Sequence, residues 1–301
     1  MNLKNYLRGW CSIIIVVTGP TCVGKTDLSI SLAKKYNAEI INCDSVQIYK
    51  KIDVASAKIT EEEKEGIIHH LIDIKDYDED YSIYDYQKDV RNILDNNKDK
   101  NYIMVGGTGL YIKAALYDYR FNEENEKKYD DLSKEELLKR IRNINKDVVV
   151  DENNKRRLIR CLINLENDTE NNLGDNLLYD NVVFIGLTTN RDILYDRINK
   201  RVDKMIENGL IEEAKYFYTK DRNTKSLKTV IGYKELFKYF DDEITKEEAI
   251  DLIKQNSRHY AKRQFTFFNN KMKIKWFNVN FNDFNKTIEE VINYIEKEKE
   301  I

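Results

Sequence analysis

The chain has 301 residues, which is enough for one large domain or two modest ones. Hydrophobic residues make up 41% and charged residues 34%, as in a soluble globular protein, and the longest apolar run, residues 13–17, is too short to span a membrane. The net charge is −3, no secretory signal precedes the apolar run, and the scattered cysteines form no CxxC pair, so we expect a cytoplasmic protein without disulfides or membrane contact.

The first elements in chain order alternate between strand and helix. A continuous β-branched run, as in a strand buried on both faces of a sheet, is followed by a glycine loop and then by a helical pattern. The predicted strands lie at 13–17, 39–42 and 102–105, and the predicted helices begin at Lys25 and Tyr84. This alternation predicts an α/β fold with a parallel sheet.

Residues 118–181 interrupt the alternation, because they are polar and helical in pattern before a strand pattern returns at 182–187. We therefore predict a small helical insertion domain at 118–181, within a core formed by residues 1–117 and 182–301. The rest of the chain is predicted to be mostly helical. The helices lie at about 191–208, 209–219, 233–239, 245–268 and 285–299, with a short strand at 274–277.

The glycine loop matches a phosphate-binding sequence in full. Gly19-Pro20-Thr21-Cys22-Val23-Gly24-Lys25-Thr26 fits G-x-x-x-x-G-K-[ST], with a strand before it and a helix after it. The glycines let the backbone wrap a phosphate group, and the loop N–H groups and the helix N-terminus supply positive potential. We expect Lys25 to neutralise phosphate oxygens and the Thr26 hydroxyl to hold Mg²⁺. The loop predicts a phosphate ligand without specifying the group transferred.

Two further segments argue against a nucleotide kinase or an NTPase. Asp44 begins Asp44-Ser45-Val46-Gln47-Ile48-Tyr49 directly after the second strand, which is where open α/β sheets keep their active sites. The third strand is followed by Gly106-Gly107-Thr108-Gly109-Leu110-Tyr111, which presents a hydroxyl where a Walker B acid would stand. His69 and His70 have no third metal ligand at a suitable spacing, so a structural role is the better interpretation.

The charge distribution is uneven despite the small net charge. Residues 252–282 contain seven basic side chains and no acidic one, with aromatic side chains between them. Such a run is often only a solvated helix face, and it is also what a contact with a nucleic-acid backbone requires.

Taken in order, these motifs resemble the tRNA dimethylallyltransferase family. The matching segments are GPTCVGKT at 19–26, DSVQIY at 44–49, HHLID at 69–73, VGGTGLY at 105–111, KRRLIR at 155–160, RINKRVDKMIENGLIEEA at 197–214, IGYKEL at 231–236 and YAKRQFTFF at 260–268. The eukaryotic branch carries a C-terminal zinc finger, and this chain has no cysteine after Cys161, so it is similar to the bacterial form.

The resemblance implies a P-loop nucleoside-triphosphate-hydrolase-like fold and a prenyl transfer. The exocyclic amine of the adenosine 3′-adjacent to the anticodon attacks dimethylallyl diphosphate, and pyrophosphate leaves. The loop, Lys25 and Mg²⁺ on Thr26 would stabilise the leaving group, and Asp44 would accept the amine proton. Arg201 is implied as a second clamp on the diphosphate, with Arg197 nearby on the same helix face.

The resemblance also implies a contact surface for the tRNA anticodon stem-loop, and we expect a monomer. The implied tRNA contacts are Asp44, Ser45, Val46, Gln47, Thr108, Arg156, Arg157, Leu158, Ile159, Arg160, Gly232, Tyr233, Lys234, Lys262 and Arg263.

Three alternatives stay open at the level of sequence. A nucleotide kinase would use ATP, with Arg197 and Arg201 as lid arginines. A prenyltransferase acting on a free adenine nucleotide would need neither the basic segment nor the insertion. An RNA-binding switch would show nucleotide-dependent RNA affinity without turnover.

Overall fold

A computed structural model of the chain describes residues 12–119, 129–166, 174 and 176–299. The chain divides into two compact units, one formed by residues 1–112 and 180–301 and the other by residues 113–179. The second unit starts at residue 113 and ends at residue 179, whereas the insertion is predicted from the sequence at 118–181. None of the helices in these described ranges is both long and apolar enough to cross a membrane.

The first unit is built on a six-stranded sheet in which every neighbouring pair is parallel. The strand order is β3-β2-β4-β1-β5-β6, so the first strand lies inside the sheet, and all five of its residues are buried. Burial on both faces explains its uninterrupted β-branched sequence. The strands are β1 (Ile14–Thr18), β2 (Ala38–Asn42), β3 (His69–His70), β4 (Asn101–Val105), β5 (Val182–Thr188) and β6 (Lys275–Asn278).

Helices pack against the sheet and extend the unit at its C-terminal half. Several begin with a reciprocal capping box, such as that of Thr245 with Glu248, which satisfies backbone N–H groups that lack partners at a helix start. The helices of this unit are α1 (Lys25–Tyr36), α2 (Glu61–Lys64), α3 (Ile83–Asn96), α4 (Gly109–Leu116, which continues into the second unit), α7 (Arg191–Glu207), α8 (Leu210–Asp221), α9 (Lys225–Thr229), α10 (Tyr233–Phe240), α11 (Lys246–Lys271) and α12 (Phe284–Lys299).

The second unit contains a helical pair, α5 (Lys134–Ile144) and α6 (Lys155–Glu166). Its hydrophobic core lies between the two helices and includes Leu137, Ile141 and Leu162, all fully buried. A polar sequence still forms a small core here because apolar residues recur at helical spacing on one face of each helix.

The strands and helices predicted from periodicity are confirmed, and their ends coincide with the prediction or differ from it by at most three residues. The strand β3 and the helices α2, α4 and α9 are not predicted from the sequence. For β3, α2 and α9 the reason is length, because two to five residues are too few to show a period. His69 and His70 form β3, which pairs with β2, and His70 Nε2 lies 2.7 Å from a carboxylate oxygen of Glu39.

Candidate active site

The phosphate loop joins β1 to α1 and depends on two glycines. Gly19 and Gly24 have φ angles of 135° and 88°, which other residues rarely adopt. A Cβ at Gly19 would lie 2.3 Å from the backbone oxygen of Leu187, and one at Gly24 would lie 2.7 Å from the ring of Phe284. The packing of the loop against β5 and α12 therefore requires glycine at both positions, in addition to any role in ligand binding.

The side chain of Lys25 folds under this loop. Its Nζ donates hydrogen bonds to the backbone oxygens of Gly19 over 3.1 Å and Pro20 over 2.8 Å. Burial, reinforced by the nearby Arg201 cation, lowers the pKa of Lys25 from 10.5 to about 8, while the charge of Asp44 acts in the opposite direction. An anion bound in the loop would raise the pKa of Lys25 again, because it stabilises the charged amine.

Helix α7 brings two arginines to the same loop. Arg201 Nη1 donates to the Thr21 hydroxyl over 3.1 Å, and Arg197 Nε donates to the backbone oxygen of Cys22 over 2.9 Å. The Arg197 guanidinium also lies 3.8 Å from the centre of the Phe281 ring. Because the two arginines are four residues apart, they share one helix face. The structure thus brings together the predicted diphosphate ligands of the loop and of α7.

The turns that follow β2 and β4 meet beside the loop. The Asp44 carboxylate accepts a hydrogen bond from the Val46 N–H over 2.9 Å, and the Ser45 N–H donates to the Thr108 hydroxyl over 3.3 Å. The Thr108 N–H in turn donates to the backbone oxygen of Cys43 over 3.1 Å. These bonds fix the orientation of Asp44 and Thr108 at the carboxyl edge of the sheet, where both were predicted to lie.

Two residues of α11 join this site, although the sequence identified them only as part of the segment 260–268 and did not assign them to the site. Gln264 Oε1 accepts from the Thr21 N–H over 3.1 Å, and its Nε2 donates to the backbone oxygen of Gly107 over 3.2 Å. Tyr260 lies beside the side chains of Thr108 and Gln264, and burial next to Asp44 raises the pKa of Tyr260 to about 12. The signal in the sequence that could have found them is their spacing of four residues, which places both side chains on one face of a helix.

The expected tRNA contacts divide into exposed and buried residues. Arg156, Arg157 and Arg160 on α6 are exposed, as are Lys262 and Arg263 on α11. The side chains of Leu158 and Ile159 lie in the hydrophobic core of the second unit, because they occupy the inner face of α6. In the IGYKEL segment only Lys234 is exposed, since Tyr233 is fully buried and its hydroxyl donates to Glu213. For Leu158, Ile159 and Tyr233 the expectation of a side-chain contact is therefore corrected to a packing role.

The fold and the site together define a P-loop-like α/β protein, with a glycine loop after the first strand and a carboxylate at the neighbouring strand end. Comparison with known proteins narrows this class. The model of the IPP transferase family matches residues 47–271, and the chain belongs to that family.

Curated and solved relatives agree with this membership. A tRNA dimethylallyltransferase from Anoxybacillus flavithermus is 44% identical over 299 residues, which cover 94% of this chain and 96% of that protein. The crystal structure of the full-length tRNA isopentenylpyrophosphate transferase from Bacillus halodurans is 41% identical, with a TM-score of 0.72 over 95% of this chain and 96% of that one. A eukaryotic dimethylallyltransferase, described as acting on tRNA, is 28% identical, with a TM-score of 0.71 over 89% of this chain and 74% of that one.

Proposed function

We propose that the protein transfers a dimethylallyl group from dimethylallyl diphosphate to the exocyclic amine of the adenosine 3′-adjacent to the anticodon in tRNA, releasing pyrophosphate. The observation that carries the proposal is the meeting of a cationic phosphate loop with Asp44 and Thr108 at one edge of the sheet. The strand β4 is followed by Gly106-Gly107-Thr108, where an NTPase would carry an acid. Family membership gives independent support.

The diphosphate would lie in the glycine loop, with Lys25, Arg197 and Arg201 around it. As the allylic C–O bond breaks, negative charge grows on the leaving pyrophosphate, and cations already held in place stabilise that charge. The donors on Lys25 and Arg201 are engaged by loop oxygens of residues 19–21 in this structure, so we expect them to turn toward phosphate oxygens when the ligand binds.

The adenine amine is a weak nucleophile because its lone pair is delocalised into the ring. In the proposed step, a bond forms between this nitrogen and the allylic carbon, the C–O bond to the diphosphate breaks, and the nitrogen proton passes to the Asp44 carboxylate. Asp44 is held in place by the Val46 N–H, and the adjoining segment 44–47 would line the base pocket. The base has to leave the anticodon-loop stack to reach it.

Mg²⁺ is an expected cofactor that fits the residues present. Thr26 is exposed at the start of α1, and its hydroxyl is a hard oxygen donor of the kind that suits Mg²⁺. The described residues contain no group of three or more His, Cys, Asp or Glu side chains that could hold a metal ion, so phosphate oxygens and water would supply the remaining ligands. When bound, Mg²⁺ would neutralise charge on the diphosphate.

We further propose that the exposed basic residues of α6 and α11 contact the phosphates of the anticodon stem-loop, and that the protein acts as a cytoplasmic monomer. For α11, the acid-free segment 252–282 supports this contact, because it concentrates positive charge in a chain whose net charge is −3.

The proposal is tested by mass spectrometry of bulk tRNA after incubation with the protein, Mg²⁺ and dimethylallyl diphosphate. We expect one dimethylallyl group on an adenosine next to the anticodon. ATP consumption without added mass would point to a kinase, transfer only to free adenine nucleotides would point to a small-acceptor prenyltransferase, and nucleotide-dependent RNA binding without turnover would point to a switch. Each of these results would overturn the proposal.

A further inference from the structure

The carboxylate of Glu213, on α8, is surrounded by four hydrogen-bond donors. Three consecutive backbone N–H groups, those of residues 53–55, donate to it over 2.9, 2.7 and 2.9 Å. The hydroxyl of buried Tyr233 donates to the same carboxylate over 2.7 Å, and burial next to this anion raises the pKa of Tyr233, which keeps the hydroxyl protonated. Glu213 therefore fixes the conformation of residues 53–57, which we call the anchored turn.

The anchored turn holds the side chain of Gln47. The Gln47 Nε2 lies 3.3 Å from the backbone oxygen of Ser56 and 3.5 Å from that of Ala57. Because both neighbours are carbonyl oxygens, only the amide nitrogen can face them. The nitrogen end of the Gln47 amide is thus directed to the turn, which leaves its Oε1 as the acceptor on the other side of the amide.

A second tether holds the other side of the anchored turn. The side chain of Lys58 is 6% exposed, and its Nζ donates to the backbone oxygen of Tyr49 over 2.9 Å and to the carboxylates of Asp53 and Asp73 over 2.6 and 2.5 Å. The turn is therefore fastened both to α8 and to the segment that begins at Asp44. A shift at Glu213 would move the two carbonyls that orient Gln47.

We propose that Glu213 is a positioning residue for the target base, acting through the anchored turn to direct the Oε1 atom of Gln47. This inference rests on the proposed function, in which residues 44–47 line the base pocket. An acceptor at this position suits the amino group of adenine and opposes the O6 carbonyl of guanine. Glu213 thereby contributes to the selection of adenine without touching it.

The first test compares Glu213→Gln with Glu213→Asp and with Glu212→Gln, a control that removes an exposed carboxylate from the adjacent position of α8. In Glu213→Gln, one amide donor faces backbone N–H donors, so the anchored turn has to shift. We expect kcat/KM for an anticodon stem-loop RNA to fall about 10- to 100-fold, with an unchanged KM for dimethylallyl diphosphate. Glu213→Asp should recover most of the loss, and Glu212→Gln should match the wild type.

The second test asks whether Glu213 acts through Gln47. If it does, kcat/KM of the double variant Glu213→Gln with Gln47→Ala should match that of Gln47→Ala alone within about twofold, because no Gln47 side chain is left for Glu213 to orient. Losses that multiply would mean that Glu213 acts elsewhere, and would overturn the inference. If Glu213→Gln does not fold, Tyr233→Phe, which removes one of the four donors, should give a smaller loss in the same direction.

Competition binding gives a readout that general loss of structure would not produce. Stem-loops with adenosine or guanosine at the target position compete for the wild type and for Glu213→Gln, and we expect the variant to lose part of the preference for adenosine. An unchanged preference for adenosine would overturn the inference. An equal rise in KM for the stem-loop RNA and for dimethylallyl diphosphate would overturn it as well. Absence of transfer by the wild type would instead overturn the proposed function.

Discussion

Lys25 gives the protein a pH dependence that can be worked out from its surroundings. Its pKa is lowered from 10.5 to about 8, chiefly by burial and then by Arg201. This difference corresponds to a preference of roughly 3 kcal/mol for the neutral amine, relative to a lysine in water. A diphosphate in the loop should reverse much of that preference, because the anion compensates the buried cation.

The sign of the effect follows from proton counting. Between about pH 8 and pH 10.5 the unfolded chain holds a proton on Lys25 that the folded chain has lost, so this group makes the free energy of unfolding rise with pH in that window. Diphosphate binding, in contrast, becomes weaker as the pH rises, because the complex takes up the proton that free Lys25 has lost. Affinity for dimethylallyl diphosphate should therefore fall above about pH 8, by up to about tenfold per pH unit.

Isothermal titration calorimetry in buffers of different ionisation enthalpy measures this uptake directly. At pH 9 we expect the wild type to take up close to one proton per diphosphate bound. Lys25→Arg should bind without that uptake, because arginine stays protonated throughout. The variant also corrects for any proton taken up by the ligand itself. Equal uptake by both proteins would show that Lys25 is not the titrating group and would refute the reasoning.

Three other predictions concern the remaining parts of the site. Asp44→Ala should lower turnover about 100- to 10,000-fold while diphosphate affinity, measured by calorimetry, stays nearly unchanged, and near wild-type turnover would exclude Asp44 as the general base. Replacing Lys262 and Arg263 by Glu should weaken tRNA binding and reduce its salt dependence without changing the affinity for dimethylallyl diphosphate. Replacing the exposed Lys286 and Lys297 of α12 by Glu is the charge-matched control. Equal effects of the two pairs would count against a tRNA contact at Lys262 and Arg263. Cys22 is half-buried, with its Sγ 4.0 Å from Arg201 Nη1, and its alkylation by a thiol reagent should inactivate the enzyme. Pyrophosphate with Mg²⁺ should slow this loss of activity, and Cys22→Ser should be active and resistant to the reagent. Inactivation that persists in Cys22→Ser would rule this out.

Much of the site could be predicted because its signals are local. The phosphate loop, the turn at Asp44 and the turn at Thr108 each lie within a few residues of a strand end, and parallel strands bring their carboxyl ends to one edge of the sheet. The spacing of Arg197 and Arg201 likewise places both on one helix face. Leu158, Ile159 and Tyr233 were assigned to a surface because a motif specifies residue types and not the direction in which each side chain points.

The sequence alone therefore determined the order of strands and helices along the chain and the class of ligand, since both depend on periodicity and on short motifs. Only the tertiary structure decided which distant residues complete the site. Gln264 contacts the phosphate loop from 243 residues away, and Glu213 holds a turn about 160 residues before it. The partner of a buried carboxylate or amide is chosen by the packing of separate elements, and no spacing along the chain records that choice.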